Sequence, residues 1–324
     1  IAGPGFMKIN TTFRKTYRRA LAIYISLTAI QYALLRISGL NKSDSLITSL
    51  SNISTAGLMN LNNGNIVGYG LSVKIIITTF AFLSSLNFSI LLLATMKKFR
   101  ELTEGPELKF HAGRILTTTI FITGILYITY NRTLSSLKEF GNVLMQVISY
   151  FTTAGYQISD TNGWPGAACA IILIQMFIGA CAISSGGGIK AARTIIALKT
   201  SSRTLYHHIH KNAIRPIKYA GTPLKLNTLL RCNLYIVMFV VTFLFGALIL
   251  SINLDLNTAL NTSLAMLTNT GTYINQTATP GIIDDYSIVS KITMMFLMLA
   301  GRLEIYPVIL IFFKSFWKND NDFL

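Results

Sequence analysis

Acidic residues are scarce in this sequence: 12 Asp and Glu stand against 28 Lys and Arg in 324 residues, and charged residues of all kinds make up only 12%. Soluble domains carry about twice that share, so the composition argues against one. Cysteine is rarer still. Cys169, Cys181 and Cys232 lie in or beside apolar segments with no CxxC pair and no Cys/His ligand spacing. Neither a disulfide framework nor a zinc site is expected, and small apolar packing accounts for all three. The sequence also lacks a GxGxxG run, a P-loop and a nucleophile set beside a base, which argues against nucleotide binding and enzyme chemistry. His207, His208 and His210 have no carboxylate or cysteine cluster beside them and read as part of a solvated loop.

What the chain has is apolar length, with 52% hydrophobic residues arranged in three units of one plan: helix, short helix, Gly turn, helix. The first unit runs from a spanning candidate at Ala20 to Ile37, through a short amphipathic stretch at Asp44 to Asn52, to a second apolar segment from Ile66 to Met96. The second has Ile115 to Tyr130, Leu134 to Tyr150 and an apolar segment opening at Trp164. The third has Leu229 to Leu254, Leu256 to Leu267 and Ser287 to Phe316. A crossing needs about 20 residues, so each middle piece must enter part-way and return as a re-entrant hairpin. The tips read Thr55-Ala56-Gly57, Thr153-Ala154-Gly155 and Asn269-Thr270-Gly271. Glycine admits backbone conformations closed to other residues, so successive carbonyl oxygens can face one axis and replace a cation's water shell. One such turn carries no weight, but three at equivalent points suggest a filter.

The second unit holds an interrupted segment. An apolar run from Ala167 to Ile183 is long enough to cross most of a bilayer, but Ser184, Ser185, Gly186, Gly187 and Gly188 break it before Lys190 and Arg193. Three glycines oppose a helix by about 1 kcal/mol each, and irregular backbone at membrane depth survives only inside protein or beside water. The break reads as an intramembrane loop lining a pathway; a flexible exit loop at the membrane surface is the competing reading. Lys190 and Arg193 read as interfacial anchors. Arg302 follows the apolar stretch Ile288 to Gly301, and an ionisable residue at that depth faces a cavity or a partner. Glu304 is its candidate partner, although residues two apart diverge on a straight helix, and Pro307 is the expected kink.

Charge sets the orientation. With the hairpins outside, the other face collects Lys8, Arg14, Lys15, Arg18, Arg19, Lys97, Lys98, Arg100, Lys109, Arg114, nine more from Lys190 to Arg231, then Lys314 and Lys318, in all 21 of the 28 basic residues. That face is therefore cytoplasmic, and the excess charge needs no nucleic-acid partner. Asp44, Glu139, Asp160, Asp255, Asp284 and Asp285 lie on the hairpin side, where they either concentrate cations or are solvated loop ends.

The run FIGACAISSGGGIKAAR, the three Gly hairpins and the closing LAGRLEIYPVILIFFKSFWK resemble the TrkH/TrkG family of bacterial potassium-uptake subunits, within a superfamily that also holds KtrB and the plant HKT proteins. The resemblance spans essentially the whole chain. It implies an all-α polytopic membrane protein built from helix-pore loop-helix repeats like potassium-channel subunits around one pore. Its four repeats exceed the three found here. They are read as repeat two over residues 1–100, repeat three with the Gly-rich loop over 101–200, and the basic connector with repeat four over 201–324. The opening Ile1 and the missing first repeat lead us to expect a fragment or a truncated product, with Met7 as a possible internal start.

By the same resemblance, carbonyls of Thr55, Ala56, Gly57, Thr153, Ala154, Gly155, Asn269, Thr270 and Gly271 would coordinate potassium, with only modest selectivity over sodium. Ser184 to Gly188 would form the gate, and Arg302 would set a barrier beside it. The resemblance further implies residence in the bacterial inner membrane, a homodimer, no cofactor beyond the transported potassium, and a cytosolic TrkA-like nucleotide-binding regulatory subunit meeting Lys97 to Gly113 and Thr200 to Asn227. A proton- or sodium-coupled symporter and a nonconducting truncated subunit remain as alternatives. Gly155→Asp places a carboxylate in the filter and should abolish rubidium uptake; normal flux in a well-inserted variant would refute the assignment of this hairpin.

Overall fold

The computed structural model describes residues 13–56, 65–95, 105–130, 136–161, 163–211, 216–271, 286–311 and 317. Met7, Gly57, Asp284, Asp285 and, among the basic residues named above, Lys8, Lys97, Lys98, Arg100, Arg215, Lys314 and Lys318 lie outside this set.

The described residues form twelve helices and one two-stranded hairpin. In the first unit α1 (Phe13–Ile37) is followed by the short α2 (Lys42–Ser54), then by α3 (Leu71–Ser85) and α4 (Phe88–Thr95). The second has α5 (Pro106–Thr129), α6 (Ser136–Phe151), α7 (Gly166–Ile178) and α8 (Ala191–Ile209). An antiparallel hairpin, β1 (Lys218–Tyr219) with β2 (Thr222–Pro223), leads to the third unit: α9 (Leu226–Leu250), α10 (Leu256–Leu267), α11 (Ile288–Leu303) and α12 (Ile305–Leu310). Three described helices are long and apolar enough to cross a membrane, and they open the three units: Tyr17–Ile37 within α1, then α5 and α9.

The third position of every unit is broken, where the sequence pointed to a break in the second and a kink at Pro307 in the third. The expected continuous segment Ile66 to Met96 bends by 102° between α3 and α4. Asn87 explains the bend, because its side-chain oxygen accepts from Ser89 N at 2.9 Å and so starts a new helix. The apolar run expected to continue to Ile183 stops at Ile178. Gly179 turns at φ 67, and the chain doubles back so that Ile189 N and Lys190 N donate to the carbonyls of Phe177 and Ile178, each at 2.9 Å. This reversal brings Gly179 against Gly188 so closely that a methyl on either would strike the other backbone. In the third unit the break falls at Glu304 (φ 66) and not at Pro307. A continuous helix would press the Pro307 ring against the carbonyl of Leu303, four residues earlier; in the first turn of α12 its missing N–H costs nothing.

The basic connectors are more ordered than the sequence reading held. α8 carries His207 and His208 in its last turn, and α5 begins at Pro106.

Unit interfaces mix apolar and polar packing. Leu35, Ile66 and Ile77 of the first unit are buried with Ala154, Tyr156 and Ile158 of the second. A larger core joins Val147, Phe151, Ile172 and Met176 to Phe239, Leu264 and Leu297. The short helices bury hydroxyls and amides as well, and some of these bond to backbone: Asn52 Nδ2 donates to the Ile77 carbonyl at 2.9 Å. Gln146 Oε1 accepts from Ile158 N at 2.7 Å and Ser159 N at 2.9 Å, while its Nε2 donates to the Tyr156 carbonyl at 3.1 Å. Gln146 thereby fixes the segment that returns from the second hairpin.

Where α9, α10 and α11 meet, a methyl on Gly246 would lie 2.7 Å from a Leu297 methyl and 2.8 Å from Ser263 Oγ. Gly246→Val should therefore destabilise the protein by about 1–3 kcal/mol in detergent thermal unfolding. Gly124→Ala, which meets open space, should stay within about 0.5 kcal/mol.

Candidate functional site

The three hairpin tips share one backbone solution. Thr55, Thr153 and Asn269 occupy the same place after α2, α6 and α10, and all three are left-handed, with φ of 47°, 58° and 56°. Each donates its N–H to the carbonyl three residues back: Thr55 to Asn52 at 3.1 Å, Thr153 to Tyr150 at 3.2 Å, Asn269 to Met266 at 3.1 Å. The next N–H reaches five back: Ala56 to Ser51 at 3.0 Å, Ala154 to Ser149 at 3.0 Å, Thr270 to Ala265 at 2.9 Å. This is a Schellman helix end, usually built on glycine. A side chain there costs about 1–3 kcal/mol, and that strain repeats at three equivalent points. Gly155 and Gly271 follow at φ 72° and 78°, so positive φ recurs at alternate residues of the second and third tips. Gly57 lies outside the described residues. The short helices end here, so their negative dipole ends lie at these turns.

The loop 179–190 lies against the tips. Gly187 N donates to Thr153 Oγ1 at 2.9 Å, and a methyl on Gly187 would overlap the Thr268 carbonyl oxygen. Ser185 Oγ donates to the Ser84 carbonyl at 3.0 Å at the end of α3. Arg302 joins the loop to the first unit, donating to the Ser185 carbonyl at 2.8 Å and the Ser54 carbonyl at 3.2 Å. Its neighbour Gly301 sits where a methyl would overlap the Leu267 carbonyl, and this close approach carries Arg302 to the third hairpin. The structure thus brings the described hairpin residues, Ser184 to Gly188 and Arg302 into one place.

Lys190 and Arg193, read as interfacial anchors, point inward. Lys190 Nζ donates to the carbonyls of Ser184 and Gly186, within the loop itself. Arg193 pairs with Glu304 at 2.8 Å and its guanidinium lies 3.8 Å from the Tyr235 ring centre. Glu304 is therefore held by Arg193, not by Arg302. The reason is the break at Glu304, which turns the carboxylate away from its neighbour two residues earlier. A cavity of about 350 Å³ is lined by Ser184 to Gly188 together with Lys190, Arg193, Arg302 and Glu304.

A second polar cluster supports the other end of the loop. Glu107, buried in the first turn of α5, accepts from Ala182 N at 3.1 Å, from Asn87 Nδ2 at 3.5 Å and from the Tyr219 hydroxyl of β1. One carboxylate so ties the bend of the first unit, the head of the loop and the connector to the third unit. Arg114, counted with the cytoplasmic charges in the sequence, is buried and donates to the Gly179 carbonyl at 2.7 Å and to Gln175 Oε1 at 3.2 Å. His111 Nε2 stands 3.2 Å from Ser85 Oγ. Sequence reasoning missed this cluster. Its signal was available: Glu107, His111 and Arg114 recur at i, i+4 and i+7 along the helix, and so share a face.

The family model for TrkH, described as cation transport protein, matches residues 9–320. The chain belongs to the TrkH family. TrkH is a family of transporters, not of enzymes, and its members sit in membranes. The Trk system potassium uptake protein TrkH of Halomonas elongata is 26% identical over 326 residues, covering 96% of this chain and 64% of that relative. TrkH of Escherichia coli K12 is 26% identical over 319 residues with the same two shares, and TrkG of that strain is 25% identical over 294 residues, covering 88% of this chain and 58% of TrkG. The chain thus spans less than two thirds of the length of these TrkH and TrkG relatives. The crystal structure of the potassium transporter TrkH from Vibrio parahaemolyticus superposes with a TM-score of 0.85 at 23% identity, over 96% of this chain and 67% of that one. The fold is that of TrkH, as the all-α, pore-repeat reading expected.

Glu107→Ala would leave the Ala182 N–H, the Asn87 amide and the Tyr219 hydroxyl without their acceptor, costing about 1–3 kcal/mol. Thermal unfolding should register that loss, and hydrogen exchange at Ala182 should rise while exchange in α9 stays unchanged.

Proposed function

We propose that this chain forms part of a potassium-uptake pathway in the bacterial inner membrane, with the hairpin tips as the ion filter and Ser184 to Gly188 as the gate. The observation that carries the reading is the contact of one irregular loop with the second and third helix ends, with Arg302 bridging it to the first. Carbonyls of Thr55, Ala56, Gly57, Thr153, Ala154, Gly155, Asn269, Thr270 and Gly271 would take the place of water around potassium, and the dipole ends of α2, α6 and α10 favour a cation there. The names of the relatives, all potassium uptake proteins of Trk systems, support potassium as the ion.

The gate's chemistry follows from its charges. Arg302 and Lys190 place two positive groups on the path and bond to the loop's own carbonyls, so the closed loop presents both a steric plug and an electrostatic barrier. Opening requires those bonds to break together. The two carboxylates nearest the loop are both engaged, Glu304 by Arg193 and Glu107 by Ala182 N, Asn87 and Tyr219, which supports passive conduction over coupled symport.

The cytoplasmic face is assigned to the basic connectors, and a TrkA-like nucleotide-binding subunit would dock there; the homodimer is likewise a proposal. We assign repeat two to residues 1–100, repeat three to 101–200, and the connector with repeat four to 201–324.

Rubidium uptake in a bacterium stripped of its own potassium uptake systems and expressing the complete gene tests the reading. Rescue of growth at low potassium is expected. Arg302→Ala should raise basal flux about tenfold, the factor that corresponds to about 1.4 kcal/mol. Absence of uptake by properly inserted protein would refute the proposal.

A further inference from the structure

A groove of about 1010 Å³ lies between the start of α9 and the α11–α12 break, and nothing in the ion pathway uses it. Of its three basic members Arg193 is paired with Glu304, while Lys225 and Arg231 are exposed, and among the described residues neither side chain has an ion-pair or hydrogen-bond partner. Its apolar side is Leu234, Leu303 and Leu310, all exposed. The groove is closed at one point by Tyr306, whose hydroxyl donates to the Arg231 carbonyl at 2.8 Å and ties α12 to α9.

Position decides what such a groove suits. α9 is a spanning helix with Lys225 at its N-cap and Arg231 in its second turn, so these two lie towards the membrane edge, with Leu234 about one turn beyond Arg231. A water-soluble anion would find half of the groove apolar and open to lipid. A neutral lipid would leave two cations unanswered. An amphiphile with a negative head and hydrocarbon tails matches both halves. The volume is at the upper end of the range for small-molecule sites, roughly 300–1,000 Å³, and admits a headgroup with the first part of its chains.

We propose that this groove binds an anionic phospholipid. Arg231 and Lys225 hold the phosphate, and the acyl chains follow Leu234, Leu303 and Leu310. Basic pockets between spanning helices on the cytoplasmic side take such headgroups, so the assignment rests on the membrane orientation proposed above. Arg193 and Glu304 line both this groove and the cavity beneath the loop, which leaves one ion pair between the lipid and the gate.

Native mass spectrometry of the purified full protein, exchanged with phosphatidylglycerol or phosphatidylethanolamine of identical chains, reads the site without any measurement of flux. Failure here is therefore distinct from failure of the transport reading. Preferential retention of phosphatidylglycerol is expected, falling about fivefold for each of Lys225→Gln and Arg231→Gln. Equal retention of the two lipids would overturn the proposal, as would a preference that survives the double substitution. A lipid-free dimer in which Leu234→Cys cross-links between copies would also overturn it, because the groove would then be an interface between copies.

Discussion

A membrane offers no water to a broken helix, and the whole arrangement follows from how this chain meets that constraint. Each of its three units interrupts its third helix, and each interruption frees backbone groups at depth. The first and second breaks answer each other: Cys181 N donates to the Ser85 carbonyl at 3.1 Å and Phe88 N to the Ile183 carbonyl at 3.2 Å. The second break also closes on itself through residues 189–191, which take the carbonyls left by Phe177, Ile178 and Ala180. Side chains supply the remainder, Arg114 at Gly179, Glu107 at Ala182, Lys190 at Ser184 and Gly186, and Arg302 at Ser185. The polar residues that looked like scattered charges are thus the partners that let irregular backbone persist inside the bundle.

The same accounting explains why these breaks suit a gate. The hydrogen bonds that hold the loop come from long side chains of the second and third units and from backbone carbonyls of the first, so small rigid-body shifts of α5 or α11 change several of them together. Glycine at 187 and 301 permits backbone approach that any side chain would prevent, and these contacts set the loop and Arg302 against the hairpins. Position, then, comes from tight backbone packing, and the barrier comes from charge.

Much of this was legible in the sequence because its period is coarse. Three long apolar segments, three short ones and three Gly turns survive any error of a few residues, and the short helices were placed to within a few residues of α2, α6 and α10. Ser184 to Gly188 stood out because three consecutive glycines contradict the apolar run before them. The breaks at Asn87 and Glu304 carry no such contradiction. Asn87 sits with Ser84, Ser85 and Ser89, small uncharged residues that a continuous helix can carry, and Glu304 precedes a proline that drew attention to the wrong residue. Burial of Arg114 and Arg193 was hidden for a different reason: a count of positive charge by loop cannot distinguish a lipid-facing anchor from a side chain turned inward. Left-handed Thr55 and Thr153 were not predictable from residue type, since the glycines two residues on are the ones expected to take that conformation, whereas Asn269 is of a type that takes it readily.

The claim on which this account depends is that the loop must leave Ser84 for ions to pass. Ser84→Cys with Ser185→Cys, in a background where Cys169, Cys181 and Cys232 are replaced by alanine, allows the closed contact to be locked by oxidation. The completed cross-link should stop rubidium flux in reconstituted vesicles, and reduction should restore it. Flux that continues with the cross-link complete, as counted by residual free thiols, would contradict the gate.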